Sequence, residues 1–340
     1  MIAAAFFILL LAAFAYFLPR WTRPDFFFAV TVPPGFQETA DARRILLAYR
    51  AILLGFAVAD IVTLSLDGHG VQAGFPAAVL IQMVGFFCAI LVAHRRALPH
   101  SVAAPAMIEV DLTAPPETFP GGPMAPFLPL GALAALAWWV SHNWDRVPER
   151  LPVHWGLEGP NRWVARTPLG VYGFVAVHAA ICLSLILTAW GILHWSRRVT
   201  TTGPGAAKER RFRRLNVQLG LLLAYVVAAQ AWIVMLRPEA LGAWWAWALL
   251  ALTAIFVIGL VRIQGGSSTG TQPAAAVGDR TPDSCWKLGI FYFNTKDPSV
   301  FIAKRFGIGY DLNFGNRWSW LILGGSLAVV VVLVALPKKP

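Results

Sequence analysis

Residues 208–236 read KERRFRRLNVQLGLLLAYVVAAQAWIVML, a basic cluster followed from Leu215 by 22 positions without a charged side chain. At 1.5 Å per residue a helix over 215–236 is about 33 Å long, enough to cross a hydrocarbon core of roughly 30 Å. Lys208, Arg210, Arg211, Arg213 and Arg214 mark the end of that span that stays on the cytoplasmic side. The stretch therefore predicts both a membrane-spanning helix and its direction.

Seven further apolar runs surround it, over residues 2–18, 45–66, 71–93, 125–142, 169–195, 242–261 and 318–336. The 340-residue chain is 57% apolar and 13% charged, against roughly 45–50% and 25% in soluble domains, which excludes a soluble enzyme. The net charge of +11 would point to nucleic acid in a soluble domain. With the amino terminus outside, however, only Arg146, Arg150, Arg162, Arg166, Arg237, Lys338 and Lys339 fall in external segments, leaving 21 of the 28 basic residues inside. That bias orients both termini outwards, and the charge becomes a signal of topology and anionic lipid rather than of direct nucleic-acid binding. The first run carries a small-x-small Ala13-Phe14-Ala15 but no basic residues before it, and reads as a retained helix. Trp138, Trp139, Trp144, Trp155, Trp163, Trp195, Trp318 and Trp320 cluster near the expected helix ends, as interfacial anchors do. Cys88, Cys182 and Cys285 form no even set or ligand spacing. The expected fold is an all-α polytopic membrane protein of about eight transmembrane helices with a small cytoplasmic β-ribbon.

Three loops carry the remaining information. Phe26-Phe27-Phe28-Ala29-Val30-Thr31-Val32, closed by Pro33-Pro34-Gly35, reads as a short strand, and residues 39–50 run amphipathically into the second span. Residues 145–167, DRVPERLPVHWGLEGPNRWVART, hold an extended lead-in stiffened by Pro148 and Pro152, then His154-Trp155, then a reversal forced by Gly156, Gly159 and Pro160, then Arg162-Trp163. One imidazole, one guanidinium and two indoles in a compact external turn suit an anionic or aromatic ligand, or a peptide. His142, Asp145, Glu149, His154 and Glu158 could also collect around zinc, but no ligand spacing such as HExxH is present, and structural hydrogen bonding of His154 is the better reading. No cofactor is expected.

The third loop is cytoplasmic. Residues 265–284 have a linker composition. Residues 285–293 and 299–306 read as strands about a turn at 294–298, and residues 307–316 lead into the last helix. Gly307-Ile308-Gly309 lacks the continuation of a phosphate-cradling loop. Because strand edges need partners, the 26–32 strand is expected to pair with this ribbon. The resulting organisation is a three-helix region over 1–125, a helix pair with its external turn over 126–195, helices six and seven over 196–264, the linker over 265–284, and ribbon plus last helix over 285–340.

Within the spans, Asp60, His178, Gln82 and Gln230 are embedded polar residues. Asp60 and His178 are candidates for an intramembrane pair, as a structural hydrogen bond or a proton relay.

Leu151-Pro152-Val153-His154-Trp155 and Gly159-Pro160-Asn161-Arg162-Trp163 resemble the small domain of unknown function of bacterial SdpI-like membrane proteins, with Asn161 where Asp is common. The tract WKLGIFYFNTKDPSVFIAKRFGIGYDLNFG, residues 286–315, resembles a second uncharacterised bacterial module that often accompanies the first. The first resemblance implies a multi-pass protein of the bacterial cytoplasmic (inner) membrane that senses or gives immunity to a secreted antimicrobial peptide or toxin, with a transcriptional regulator as cytoplasmic partner. The residues of the external turn, His154, Trp155, Gly156, Gly159, Pro160, Arg162 and Trp163, are the ligand-binding candidates. A small-substrate or proton-coupled transporter is the alternative, although no internal repeat supports it. A membrane enzyme comes third, since no convergent nucleophile, base or metal set stands in the sequence.

Overall fold

The computed structural model describes residues 2–66, 71–103, 117–156, 159–197, 203–265, 279 and 281–335. Residues 266–278 of the linker expected over 265–284, together with Glu158, Arg198, Arg280, Lys338 and Lys339, lie outside the described residues.

Among the described residues eight helices follow in chain order: α1 (Ile2–Phe17), α2 (Ala40–Leu66), α3 (Val71–Ala97), α4 (Leu128–His142), α5 (Pro168–Trp195), α6 (Gly203–Leu236), α7 (Trp244–Gly265) and α8 (Arg317–Ala335). Six apolar segments are long enough to cross a membrane: Ala40–Ser65, Phe75–His100, Ala125–His142, Pro168–Trp195, Ala206–Leu236 and Trp244–Ile263. A shorter apolar segment, Ala5–Trp21, accompanies them. This is a multi-pass helical membrane protein. Helix starts have local causes. Thr39 Oγ1 accepts from Ala42 N at 3.2 Å at the head of α2, and Thr167 Oγ1 accepts from Gly170 N at 3.0 Å at the head of α5, where Pro168 takes the first helical position. Helix α6 begins well before the apolar run, because Lys, Glu and Arg over 208–214 are strong helix formers.

Helices α1 to α3 form one bundle. Its seam sets Ile45, Tyr49, Leu53, Ala57, Asp60 and Leu64 of α2 against Ala78, Gln82, Gly85, Ala89, Ala93 and Ala97 of α3, all buried and spaced three or four apart. The α3 side is nearly all Ala and Gly, which lets the two backbones approach closely. From α1, Ile8 joins Leu64 and Ala78, while the Tyr49 hydroxyl donates to Ala15 O at 2.7 Å. Helices α4 to α6 form the second bundle, with Leu133, Leu136, Val171, Phe174, Ala224, Ala228 and Ala231 in its core. Here α6 is tied to the α4 segment by Tyr225 Oη donating to Ala125 O at 2.8 Å and Trp232 Nε1 donating to Ala132 O at 2.9 Å.

Four two-stranded antiparallel sheets cap the bundles: β1 (Phe26–Phe27) with β2 (Val30–Thr31), β3 (Arg150–Gly156) with β4 (Gly159–Ala165), β5 (Trp286–Lys287) with β6 (Phe291–Tyr292), and β7 (Phe301–Ala303) with β8 (Tyr310–Leu312). The up-and-down course of the helices puts β3–β4 at one end and the other three hairpins at the opposite end, called the platform below.

The expected pairing of residues 26–32 with the ribbon is not what forms. The 26–32 segment folds on itself, Phe26 opposite Thr31 and Phe27 opposite Val30, through a turn whose Phe28 and Ala29 have φ of 48° and 66°. The expected first ribbon strand likewise reverses at Leu288 and Gly289, with φ of 55° and 78°. Two consecutive left-handed residues give the tight turn that matches strand twist. For Phe28 and Ala29 the strain is offset by packing, since Phe28 stacks on Phe306 at 5.0 Å between centroids.

The close α2–α3 seam is testable. A Cβ placed on Gly85 would run into both Cγ and Cβ of Phe56, so Gly85→Ala is expected to lower stability by about 1–3 kcal/mol, and Phe56→Ala in the same chain, which keeps its Cβ, to recover only part of the loss. Thermal unfolding in detergent measures both.

Candidate functional sites at the two ends of the bundle

The platform is organised by Arg305, whose side chain is fully buried. An unpaired guanidinium there would be strongly destabilising, and every one of its N–H groups is used. Nε donates to Asp279 Oδ2 at 2.9 Å, and Nη2 to Asp279 Oδ1 and to Thr281 O, both at 2.6 Å. Nη1 donates to Asp283 Oδ1 at 2.5 Å and to Ala29 O at 3.1 Å. The guanidinium also lies 4.7 Å from the Phe26 ring centre and 5.4 Å from that of Trp286. Burial alone would raise the Asp279 pKa, but the hydrogen bonds and charge of Arg305 outweigh it and hold the carboxyl at about 2. Asp283 extends the network. Its carboxylate accepts from Thr31 N at 3.1 Å, Thr31 Oγ1 at 2.7 Å and Ser101 Oγ at 2.5 Å. The 26–32 hairpin and the ribbon are thus joined by side chains rather than by a shared ladder.

A second hub is Asn313, also fully buried. Its Nδ2 donates to Asn294 O, Asp297 O and Ser299 O at 2.9, 3.0 and 3.1 Å, while Oδ1 accepts from Asn294 N and Gly315 N, each at 3.0 Å. Arg197, at the end of α5, donates to Tyr292 Oη and Asp297 Oδ2, both at 3.1 Å. Arg213 is buried between Glu117 at 2.8 Å and Glu209 at 3.3 Å. Arg197, Arg213 and Arg305 therefore hold the platform together internally, which corrects their reading as mere topology charges. Nothing in the sequence separates them from the other platform-end arginines except the carboxylates that fold onto them.

At the opposite end, the β3–β4 hairpin rises from the α4–α5 connection. Leu151 and Val147 bury into the second bundle's core. Arg166 Nη1 donates to Val147 O at 3.0 Å and Asp145 O at 3.2 Å, closing the base. Trp155 Nε1 donates to Leu241 O at 2.8 Å and ties the tip to the segment before α7. The register pairs His154 with Arg162, Pro152 with Trp163, Trp155 with Pro160 and Gly156 with Gly159, with irregularities on both sides of His154. The candidate residues thus share one hairpin. His154, Arg162 and Trp163 are exposed, while Trp155 is half-buried and acts as the tether. His154 Nδ1 lies 2.6 Å from Asn161 Oδ1, so a ring protonated on Nδ1 is oriented by the amide and keeps its other nitrogen as an acceptor. Among the described residues no three His, Cys, Asp or Glu side chains are gathered to hold a metal ion, and His142 instead bonds Trp138 O at 2.9 Å.

Asp60 and His178 are not hydrogen-bonded to each other. His178 Nδ1 donates to Phe174 O of its own helix at 2.8 Å, in the second bundle. Asp60 lies in the first, and its carboxylate has no hydrogen-bond partner among the described residues.

Residues 296–320 match a family of unknown function, DUF5808. The matched segment contains Asp297, Arg305 and Asn313 and ends in the first turn of α8. No curated protein and no solved structure matches the chain.

The Arg305 network fixes a pH dependence. The Asp279 carboxyl titrates at about 2 in the folded chain against an ordinary value of 3.8. Its contribution, on the order of 2 kcal/mol, is complete above pH 4 and is lost as pH falls through 2. Arg305→Lys, which cannot reproduce the planar fork, is expected to cost about 3 kcal/mol and to expose the platform to limited proteolysis at neutral pH. Protease-resistance profiles against pH test both statements.

Proposed function

We propose that this chain is an eight-span protein of the bacterial cytoplasmic membrane that senses or gives immunity to a secreted antimicrobial peptide, with α1 and α8 as the two outermost spans and both termini outside. The observation that carries the reading is the β3–β4 hairpin, which displays His154, Arg162 and Trp163 on an anchored base, at the end of the bundle poor in basic residues. An exposed guanidinium, imidazole and indole on a rigid hairpin suit a peptide, whose carbonyls, carboxylates and apolar side chains each find a partner. The resemblance of residues 151–163 to SdpI-like proteins supports the same reading. The platform, with its buried arginine networks, is the face offered to a cytoplasmic regulator, and its exposed Arg43, Arg44, Arg95 and Arg96 suit anionic lipid.

Orientation is tested by cysteine labelling in a background where Cys88, Cys182 and Cys285 are Ala. Arg162→Cys should react with a membrane-impermeant maleimide in intact cells, and Lys296→Cys only after permeabilisation. Function is tested by challenging a deletion strain with secreted antimicrobial peptides. His154→Ala and Arg162→Ala should each weaken protection by roughly tenfold, the equivalent of about 1.4 kcal/mol of contact. Full protection by the doubly substituted chain would overturn the proposed site.

A further inference from the structure

Asp60 is buried in the seam between α2 and α3, and neither of its carboxylate oxygens has a hydrogen-bond partner among the described residues. The same holds for both Gln82 side-chain atoms, Nε2 and Oε1. The packing of the bundle puts these residues at one level. Leu64 meets Ala78 in a single cluster, and on the other side Gly85 closes on Phe56. Asp60 lies four residues from both Leu64 and Phe56, while Gln82 lies four residues after Ala78 and three before Gly85. In antiparallel helices fixed at both points, one helical turn from each contact brings Asp60 opposite Gln82. They form the polar layer of a seam otherwise built from Ile, Tyr, Leu, Ala and Gly.

The chemistry of the pair selects the state of the acid. An ionised carboxylate can accept from Gln82 Nε2 but faces Oε1 as a second acceptor, and a charge inside the span is disfavoured. A neutral acid matches the amide fully. None of the four atoms is hydrogen-bonded in the arrangement described, but a side-chain rotation would let the Asp60 O–H donate to Gln82 Oε1 and Gln82 Nε2–H donate to the other Asp60 oxygen. Two carboxylate oxygens and one amide oxygen are too few for a calcium ion, which takes six to eight oxygen ligands.

We propose that Asp60, facing Gln82, is an intramembrane proton-binding site within the α1–α3 bundle. Among the described residues no titratable side chain is hydrogen-bonded or ion-paired to it. The buried residue of α1 midway between Ile8 and Ala15 is Ala12. Among the described residues, the titratable groups on the packed helices include Tyr16 of α1, Tyr49 and Arg50 of α2, and Cys88 and His94 of α3, with Arg50 about 15 Å away along its helix. Arg50 is itself engaged over the Tyr16 ring at 4.3 Å. The site is independent of the outer hairpin, and its test does not draw on the sensor reading.

The test uses the full chain reconstituted in liposomes and infrared spectroscopy of the carboxylic C=O stretch. At neutral pH a protonated-acid band is expected that disappears in Asp60→Asn, persists at a shifted frequency in Asp60→Glu, and moves to higher frequency in Gln82→Leu as its hydrogen bond is lost. The absence of an Asp60-dependent acid band at neutral pH would overturn the proposal. So would stabilisation by sodium over choline that vanishes in Asp60→Asn, since the acid would then be a cation ligand. A band unmoved by Gln82→Leu would overturn the facing arrangement. Should Asp60→Asn fail to fold, the Asp60→Glu and Gln82→Leu shifts decide the question alone.

Discussion

Three loops of the platform meet on one buried cation. Arg305 has two carboxylates, a threonine carbonyl and the Ala29 carbonyl around it, and these come from parts of the chain with no sequence continuity. A guanidinium is suited to that task because its five donors lie in a rigid plane and stay charged at any physiological pH. Once it is placed, the positions of Asp279, Thr281, Asp283 and the 28–29 turn are fixed, and through Asp283 so are Thr31 and Ser101. The loops after α1, after α3 and before α8 are thereby one structure, although each alone is too short to fold.

The two helix bundles solve the membrane packing problem differently. In the first, small residues on α3 let α2 come close, and contact between apolar surfaces holds the seam. In the second, bulkier cores are supplemented by side-chain donors reaching helix carbonyls, Tyr225 to Ala125 and Trp232 to Ala132. Aromatic side chains serve this purpose well, since their rings pack while the polar tip finds an acceptor.

Six of the expected spans were legible because apolar length is a direct physical requirement of the bilayer. The β3–β4 hairpin was legible too, since Pro152, Gly156, Gly159 and Pro160 restrict the backbone locally. The hairpins at 26–31 and 286–292 were not. Phe28-Ala29 and Leu288 carry side chains that resist the left-handed region, so nothing local announces a turn, and the compensation comes from Phe306 and Arg305 far along the chain. The same limit hid the work of Arg305 and Asn313. A buried arginine and a topological arginine are the same letter, and only folding tells which one meets a carboxylate.

Helix α7 is scarcely covered by the rest of the protein, and the hairpin reaches the segment before it through Trp155 and Leu241. A helix so little gripped by neighbours takes its tilt from the thickness of the surrounding bilayer and from its anchored ends. Thinner or thicker lipid will therefore be felt first at α7, and the indole at its head converts that tilt into a pull on the hairpin tip.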